Sequence, residues 1–499
     1  MTFKNFTILA LALLVNAPGS VSQTPDRNNQ DTSSQQRLER FEKQTDELRT
    51  LLKIPGMSAV ILKDQKVLWA KGFGFADLEN RIPATPDTLY HIASLTKTFA
   101  ATLILQLVEQ GKLSLEEPMS HYSSDFKDDS VKIKHLLSHT SEGTPGERYQ
   151  YSGNRYDYLT AVIEKKMGKP FRVVMVETFL DPLGMSGSVP AHDVVEEADK
   201  WVPSLGKENL DRYRENLSRL AQPYTLYDRE IIHVPYPPKD IGAAAGLLST
   251  VLDMAKYDAA IDRHAFLKKE TQEKAWTNFV SNRGQRLPHG LGWFVTEYHG
   301  TKLIWHYGHW GTGFSATYLK VPERNLSLVL LSNSEALSDH QFQVDKSVIK
   351  NGEEIISNVF ACNFLRLFVF EDVQGRQLPD CERNSRAAMA KWIENRRKNA
   401  HRSVRVDPEI LEAYVGRYQA EWASDRILTV TREGDRLFVN IPRDSRSELF
   451  AESKSKFFLK IRPLQMRFLK DKGQVTRIEI VEYGETVYAK RILPGGSVP

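Results

Sequence analysis

Cysteine is nearly absent: the 499 residues hold two, Cys362 and Cys381. So few exclude a disulfide-built scaffold and a cysteine-rich metal cluster. Two readings stay open, one bridge closing a short loop or two free buried thiols, and neither cysteine sits in a histidine pattern suggesting catalysis or metal. Long apolar runs are missing too. Beyond the N-terminus no uncharged segment reaches the roughly 20 residues of a bilayer-crossing helix, so no stable membrane span is expected. Charge of one sign is also scarce. The 67 Lys and Arg nearly balance the 63 Asp and Glu, leaving +4. That balance, with no basic patch interleaved with aromatics, argues against a nucleic-acid partner. Internal repeats, low-complexity tracts and Walker loops are absent. Gly72-x-Gly74 lacks the rest of a dinucleotide fingerprint and reads as a strand-shaping pair.

What is present is an ordinary globular composition, 41% hydrophobic and 26% charged, in a chain long enough for two or three domains. Lys4, the apolar run Phe6 to Val15 and the small residues Ser20 and Ser22 form a secretory signal peptide over residues 1–22, rather than an uncleaved anchor. The mature protein is therefore expected to be secreted or periplasmic. Residues 23–35 are polar and expected to be disordered. An α+β domain is expected over 36–380. It begins with an amphipathic helix at 36–53 and strands at Met57–Leu62 and Lys66–Trp69, which suit a hairpin. Helical patterns follow at Ser94–Gln110, Tyr156–Met167 and Thr250–Ile261, and strand patterns at 292–297, 302–306, 315–320 and 326–331. Strands from both ends of this region make one antiparallel sheet with helices packed on it. Residues 381–407 read as a basic helical linker, and 408–492 as a small all-β, barrel-like domain.

Ser-x-x-Lys occurs five times, starting at Ser94, Ser124, Ser204, Ser347 and Ser453. Only Ser94 opens a strongly amphipathic helix, with Leu95, Phe99, Leu103 and Leu107 on one face and Gly111 to end it. A serine there can be a plain N-cap, but capping does not explain Lys97. A first-turn lysine faces the positive end of the helix dipole. Three residues after Ser94 it lies on the same face, and burial would lower its pKa until it could accept the serine proton. The Ser94 backbone N–H would then be one oxyanion donor. In Pro145–Tyr156, Tyr151 offers a phenol to relay protons. Trp305-His306-Tyr307-Gly308 ends a strand, where Gly308 would let a substrate lie close and His306 could bind a polar or anionic group. His309-Trp310-Gly311 fits the same His-x-Gly pattern. The His306 register is preferred because it follows the strand directly. His135 and His139 are four apart, but no third ligand completes a metal site, and no cofactor is expected.

The order Ser-x-x-Lys, Tyr-x-Asn-like, His-x-Gly resembles the serine β-lactamase and penicillin-binding-protein superfamily, especially its class C β-lactamase, D,D-peptidase and family VIII esterase branch. Flanking segments agree, among them Pro55-Gly56-Met57, His135-Leu136-Leu137-Ser138-His139-Thr140, Pro182-Leu183-Gly184-Met185 and Ala245–Thr250. The likeness covers about residues 50 to 335, and the stretch 408–492 resembles a module often appended to such hydrolases. The resemblance implies a β-lactamase-like fold, Ser94 as nucleophile, Lys97 and Tyr151 sharing the base and acid roles, and the His309 backbone N–H as second oxyanion donor. Gly153 and Asn154 would line the substrate site together with His306 and Gly308. Two departures stand out. Gly153 occupies the place of the usual asparagine, with Asn154 one position later, and His306 stands where many members carry lysine. Both weaken the expectation of efficient lactam turnover. The expected activity is hydrolysis of an ester, amide, lactam or D-amino-acid peptide, with a small-molecule or peptide substrate that includes peptidoglycan-derived fragments. The rival is a non-catalytic penicillin-binding or cell-wall-fragment sensor that keeps the fold.

Overall fold

The computed structural model describes residues 27–492 apart from 237–239, 312, 344–352, 371–378, 424–425, 442–445 and 483–484. The signal-peptide segment, residues 1–22, lies outside them. So do 23–26 of the stretch expected to be disordered; from Arg27 onward that stretch is helical, continuous with α1 (Arg27–Leu51). The expected start at residue 36 is therefore too late.

Strand β1 (Gly56–Lys63) is buried along nearly its whole length. Its sequence, Gly-Met-Ser-Ala-Val-Ile-Leu-Lys, is the continuous apolar kind that can face a core on both sides. Val60 enters one core, while Met57, Ala59 and Ile61 enter another. β2 (Lys66–Asp77) returns antiparallel and pairs with β3 (Ile82–Pro83). On β1's other side the chain comes back from far downstream as β4 (Phe294–Tyr298), β5 (Thr301–Trp310), β6 (Phe314–Val321) and β7 (Leu326–Ser332). The seven-stranded order is β3-β2-β1-β7-β6-β5-β4. Val60 of β1 sits opposite Val329 of β7. One sheet face packs on the cluster that holds α2 (Thr96–Glu109) and α4 (Val251–Asp262), with α3 (Gly153–Asp157) between them in sequence. The other face is covered by Phe41 of α1, Phe360, Phe364 and α5 (Pro379–Lys398).

The basic stretch read as a linker is thus largely α5. Trp392, 1% exposed, packs into the second core, and Trp392 Nε1 donates to Asp339 at 2.7 Å. Arg383, Arg386, Lys391, Glu394 and Arg397 are on its exposed side, whereas Arg396, on the side of Trp392, pairs with Glu335 and Asp339. Cys362 and Cys381 are joined in a disulfide.

Downstream, β8 (Gly416–Ala420), β9 (Ile427–Glu433), β10 (Arg436–Asn440), β11 (Ser447–Ala451), β12 (Lys456–Phe458), β13 (Leu464–Asp471), β14 (Gln474–Glu482) and β15 (Glu485–Ile492) form a closed barrel. Closure comes from β8 on β15, with Tyr418 opposite Arg491. Inward residues alternate along each strand, as in Leu464, Met466 and Phe468, so side chains fill the barrel. An α+β domain is therefore followed by an all-β barrel.

Candidate active site

Ser94 lies in a one-turn 3-10 segment, Ala93–Leu95, that runs into α2. Its side chain caps nothing. The turn is pinned from several sides. Ile92 N–H donates to Leu247 O at 3.1 Å, Ala93 N–H to His91 Nδ1 at 3.1 Å, and Thr96 Oγ1 to Ala93 O at 2.7 Å. Ala93 has φ of 50°, left-handed backbone that an L-residue keeps only when its surroundings enforce it. Strain next to Ser94 fits a residue held in place for chemistry, since unstrained alternatives exist for an ordinary helix start.

Lys97, in the first turn of α2, is 1% exposed. Its Nζ donates to Ser94 Oγ at 2.9 Å and to Ala244 O at 2.8 Å. Burial, offset only in part by Asp157, brings its pKa down to about 7. At neutral pH much of the amine is therefore free to accept a proton. The rings of Tyr151 and Tyr156 lie 5.2 and 5.4 Å from Nζ. They favour the ammonium, but the desolvation cost of a fully enclosed charge is the larger effect.

Tyr151 lies in the loop that precedes α3 and reaches Ser94 from that loop. Its hydroxyl interacts with those of Ser94 and Tyr307, although none of these approaches has hydrogen-bond geometry. Burial raises its pKa, so the phenol keeps its proton. The ring stacks on His139 at 4.3 Å between centroids. His139 Nδ1 accepts the Ser152 N–H at 3.3 Å, tying the Tyr151 loop to the His135–Ser141 segment. The alcohol and amine of one helical turn are thus brought together with the phenol of a separate loop.

β5 supplies the opposite wall. A Cβ on Gly308 would sit 2.3 Å from Ile92 O, two residues before Ser94, whereas one on Gly311 would meet nothing within 4 Å. The glycine against the nucleophile's turn is therefore Gly308, as in the His306 register. His309 follows it, opposite Ser315 of β6.

His306 departs from expectation. It was expected to grip a polar or anionic substrate group, but it is fully buried, with Nε2 sealed from solvent. Its Nδ1 lies 2.7 Å from Tyr307 O. Burial, His289 and Lys97 hold its pKa well below the usual histidine value. The ring packs among Tyr151, His289 and Phe294. It is a neutral wall behind the phenol, since a β-strand alternates its side chains and this one points to the core. Asn154 is solvent-exposed on α3, and a side chain at Gly153 would meet open space.

Sequence reasoning missed His139, His289, Tyr307 and Asp157. His139 was weighed only as a metal ligand. Its place in the His135–Thr140 segment that carries the family resemblance is the available signal, but nothing local says that it stacks on Tyr151. Asp157 is four residues after Gly153 and so on the same face of α3. Its Oδ1 accepts the Ala244 N–H at 3.1 Å, next to the carbonyl that holds Lys97.

A family model described as Beta-lactamase matches residues 41–346. The chain belongs to the beta-lactamase family. A second model, a domain of unknown function (DUF3471), matches residues 400–489, the barrel. Penicillin-binding protein 4* of Bacillus subtilis (strain 168) is 24% identical over 442 residues, covering 81% of this chain and 87% of that protein. Two solved structures share the fold of this beta-lactamase-family chain. An octameric penicillin-binding protein homologue from Pyrococcus abyssi superposes with TM-score 0.54 at 23% identity, covering 91% of this chain and all of that one. SurE superposes with TM-score 0.52 at 21% identity, covering 93% of this chain and all of that one. Members of this family are generally serine hydrolases, and in this chain Ser94, Lys97 and Tyr151 lie close together.

Proposed function

We propose that this protein is an exported serine hydrolase that passes an acyl group to water through an ester on Ser94. One observation carries the reading: Lys97 Nζ lies 2.9 Å from Ser94 Oγ in a site that brings the amine's pKa to about 7. The neutral amine takes the Ser94 proton as Oγ attacks the substrate carbonyl. The backbone N–H groups of Ser94 and His309 hold the resulting oxyanion. Tyr151, kept protonated by burial, passes a proton to the leaving group. Water then cleaves the acyl-enzyme by the same groups in reverse. Export rests on the N-terminal apolar run.

Among substrates we rank esters and short peptides above β-lactams. Gly153 offers no amide to hold a substrate amide, and neutral, buried His306 offers no cation for a substrate carboxylate. The test is a panel of a chromogenic cephalosporin, a short-chain p-nitrophenyl ester and a D-Ala-D-Ala peptide, each with wild type and Ser94→Ala. Turnover of the ester or peptide that vanishes in Ser94→Ala is the expected result. Covalent labelling without turnover would instead favour the sensor reading, and turnover that survives in Ser94→Ala would remove Ser94 from the chemistry.

A further inference from the structure

β5 passes the nucleophile in a fixed order. Tyr151 packs against His306 and Tyr307, at 6.4 and 5.4 Å between ring centroids. Gly308 comes next and lies against the Ser94 turn, where a Cβ would sit 2.3 Å from Ile92 O. His309 follows, and Trp310 ends the strand. Side chains alternate along a strand, so Trp310 shares the face of Gly308, the one turned to the nucleophile. β4 accompanies β5 only over Thr301–Trp305. The last residues of β5 therefore have β6 on one side and, among the described residues, no strand on the other.

Trp310 belongs to a cluster of rings built around the start of the Ser94 turn. Its ring lies 4.6 Å from that of His91, and His91 Nδ1 accepts the Ala93 N–H at 3.1 Å. Phe314 sits opposite Trp310 on β6. Tyr236 closes the cluster, 5.2 Å from Phe314, 6.1 Å from Trp310 and 5.1 Å from His192. His91 and Phe314 are buried and form its floor, whereas Trp310, Tyr236 and His192 are half-buried and keep part of their surface open. None of the five carries a carboxylate, an ammonium or a guanidinium. Burial, reinforced by His192, brings the His91 pKa down to about 3, so its ring is neutral. Asp193, whose charge reaches Tyr236, is already held by Arg172 at 2.5 Å.

From this order and this cluster we infer that Trp310 and Tyr236 form the wall that receives the substrate's acyl group, and that this group ends in an uncharged aromatic or bulky apolar moiety. The inference rests on the acyl-transfer reading above and names its substrate class. In that reading Tyr151 gives its proton to the leaving group, so the leaving group departs toward His306 and Tyr307. The acyl remainder, bonded to Ser94 Oγ with its oxyanion at the His309 N–H, extends the other way along β5, toward Trp310. The step from Gly308 to Trp310 covers about 7 Å of strand. A phenyl ring on a three-carbon spacer reaches a comparable distance. An aromatic end stacks on the indole and leaves water together with it. A carboxylate there would lose its hydration among rings that offer no cation in exchange.

The experiment compares p-nitrophenyl butyrate with p-nitrophenyl 4-phenylbutyrate, which share the reacting ester and differ by one ring. For wild type, kcat/KM on the phenyl ester is expected to exceed that on butyrate about tenfold, the scale of burying part of an aromatic ring. Trp310→Ala and Tyr236→Ala are each expected to bring that ratio to within about twofold of unity, and Trp310→Phe to retain most of it. The ratio is internal to each variant, so a general loss of active enzyme does not move it, and Tyr236→Ala decides where Trp310→Ala does not fold. A wild-type ratio near one, or a ratio that the alanine variants leave in place, would overturn the inference. If neither ester is turned over, the acyl-transfer reading fails, and calorimetric titration of Ser94→Ala with 4-phenylbutyramide and with butyramide tests the wall alone. Tighter binding of the phenyl amide that is lost in Ser94→Ala/Trp310→Ala supports it; no binding, equal binding of the two amides, or binding unaffected by Trp310 overturns it.

Discussion

Lys97 spends its folded life almost wholly enclosed, where an ammonium is disfavoured and a neutral amine is tolerated. Two consequences can be measured. The acylation rate should rise with pH through an apparent pKa near 7, as the amine loses its proton, and Lys97→Met should lose that limb together with nearly all acylation. Stability moves in a related way. With a folded pKa near 7 against about 10.5 in the unfolded chain, the unfolded state holds the extra proton between those values. Wild type should therefore gain stability as pH rises from 7 to 10. Lys97→Met should melt higher than wild type at pH 6, by a margin that shrinks toward pH 10; a margin independent of pH would contradict the burial argument. Ser94 and Lys97 were legible in the sequence because their meeting is local, three residues on one helical face. His139 and Asp157 were not, because their roles come from contacts across the fold. His306 was misread for a similar reason: a strand-end histidine looks the same in sequence whether it faces a cleft or the core.

At the scale of elements, the close approach of β5 to the Ser94 turn is the most demanding contact. The strand can lie there because residue 308 has no side chain. Gly308→Ala would put a methyl 2.3 Å from Ile92 O, so either the strand or the strained Ala93 turn must shift. Turnover should fall about a hundredfold, the scale of loss when a reacting group is misplaced by an ångström, and the melting temperature should drop. Normal kinetics in Gly308→Ala would mean that the strand does not constrain the nucleophile. The strands of this sheet were readable from short apolar runs, and α2 from its four-residue leucine spacing. The polar sequence before residue 36 gave no helix signal, since α1 there has few apolar positions to mark a face. In the barrel, strands such as β11 and β13 are brief or interrupted by charge, so the sequence marks the module as all-β without marking each strand.

For the whole molecule, the two cysteines left bridge and thiols equally open in sequence, and only the fold brings them together. The Cys362–Cys381 bridge spans 19 residues and joins the helix over Val359–Phe364 to α5, both packed on the outer face of the sheet. Closing a loop of that size stabilises by about 3 kcal/mol in the chain-entropy picture. Reduction, or Cys362→Ser/Cys381→Ser, should lower the denaturation midpoint accordingly, and an unchanged midpoint would show that the outer-face helices hold without it. The account's central claim is that Ser94 is an activated nucleophile, and intact-protein mass spectrometry with a fluorophosphonate probe tests it most directly. The account predicts one adduct, mapped to the peptide containing Ser94, lost in Ser94→Ala and forming far more slowly in Lys97→Met. An adduct on another residue, or equal labelling of wild type and Lys97→Met, would contradict it.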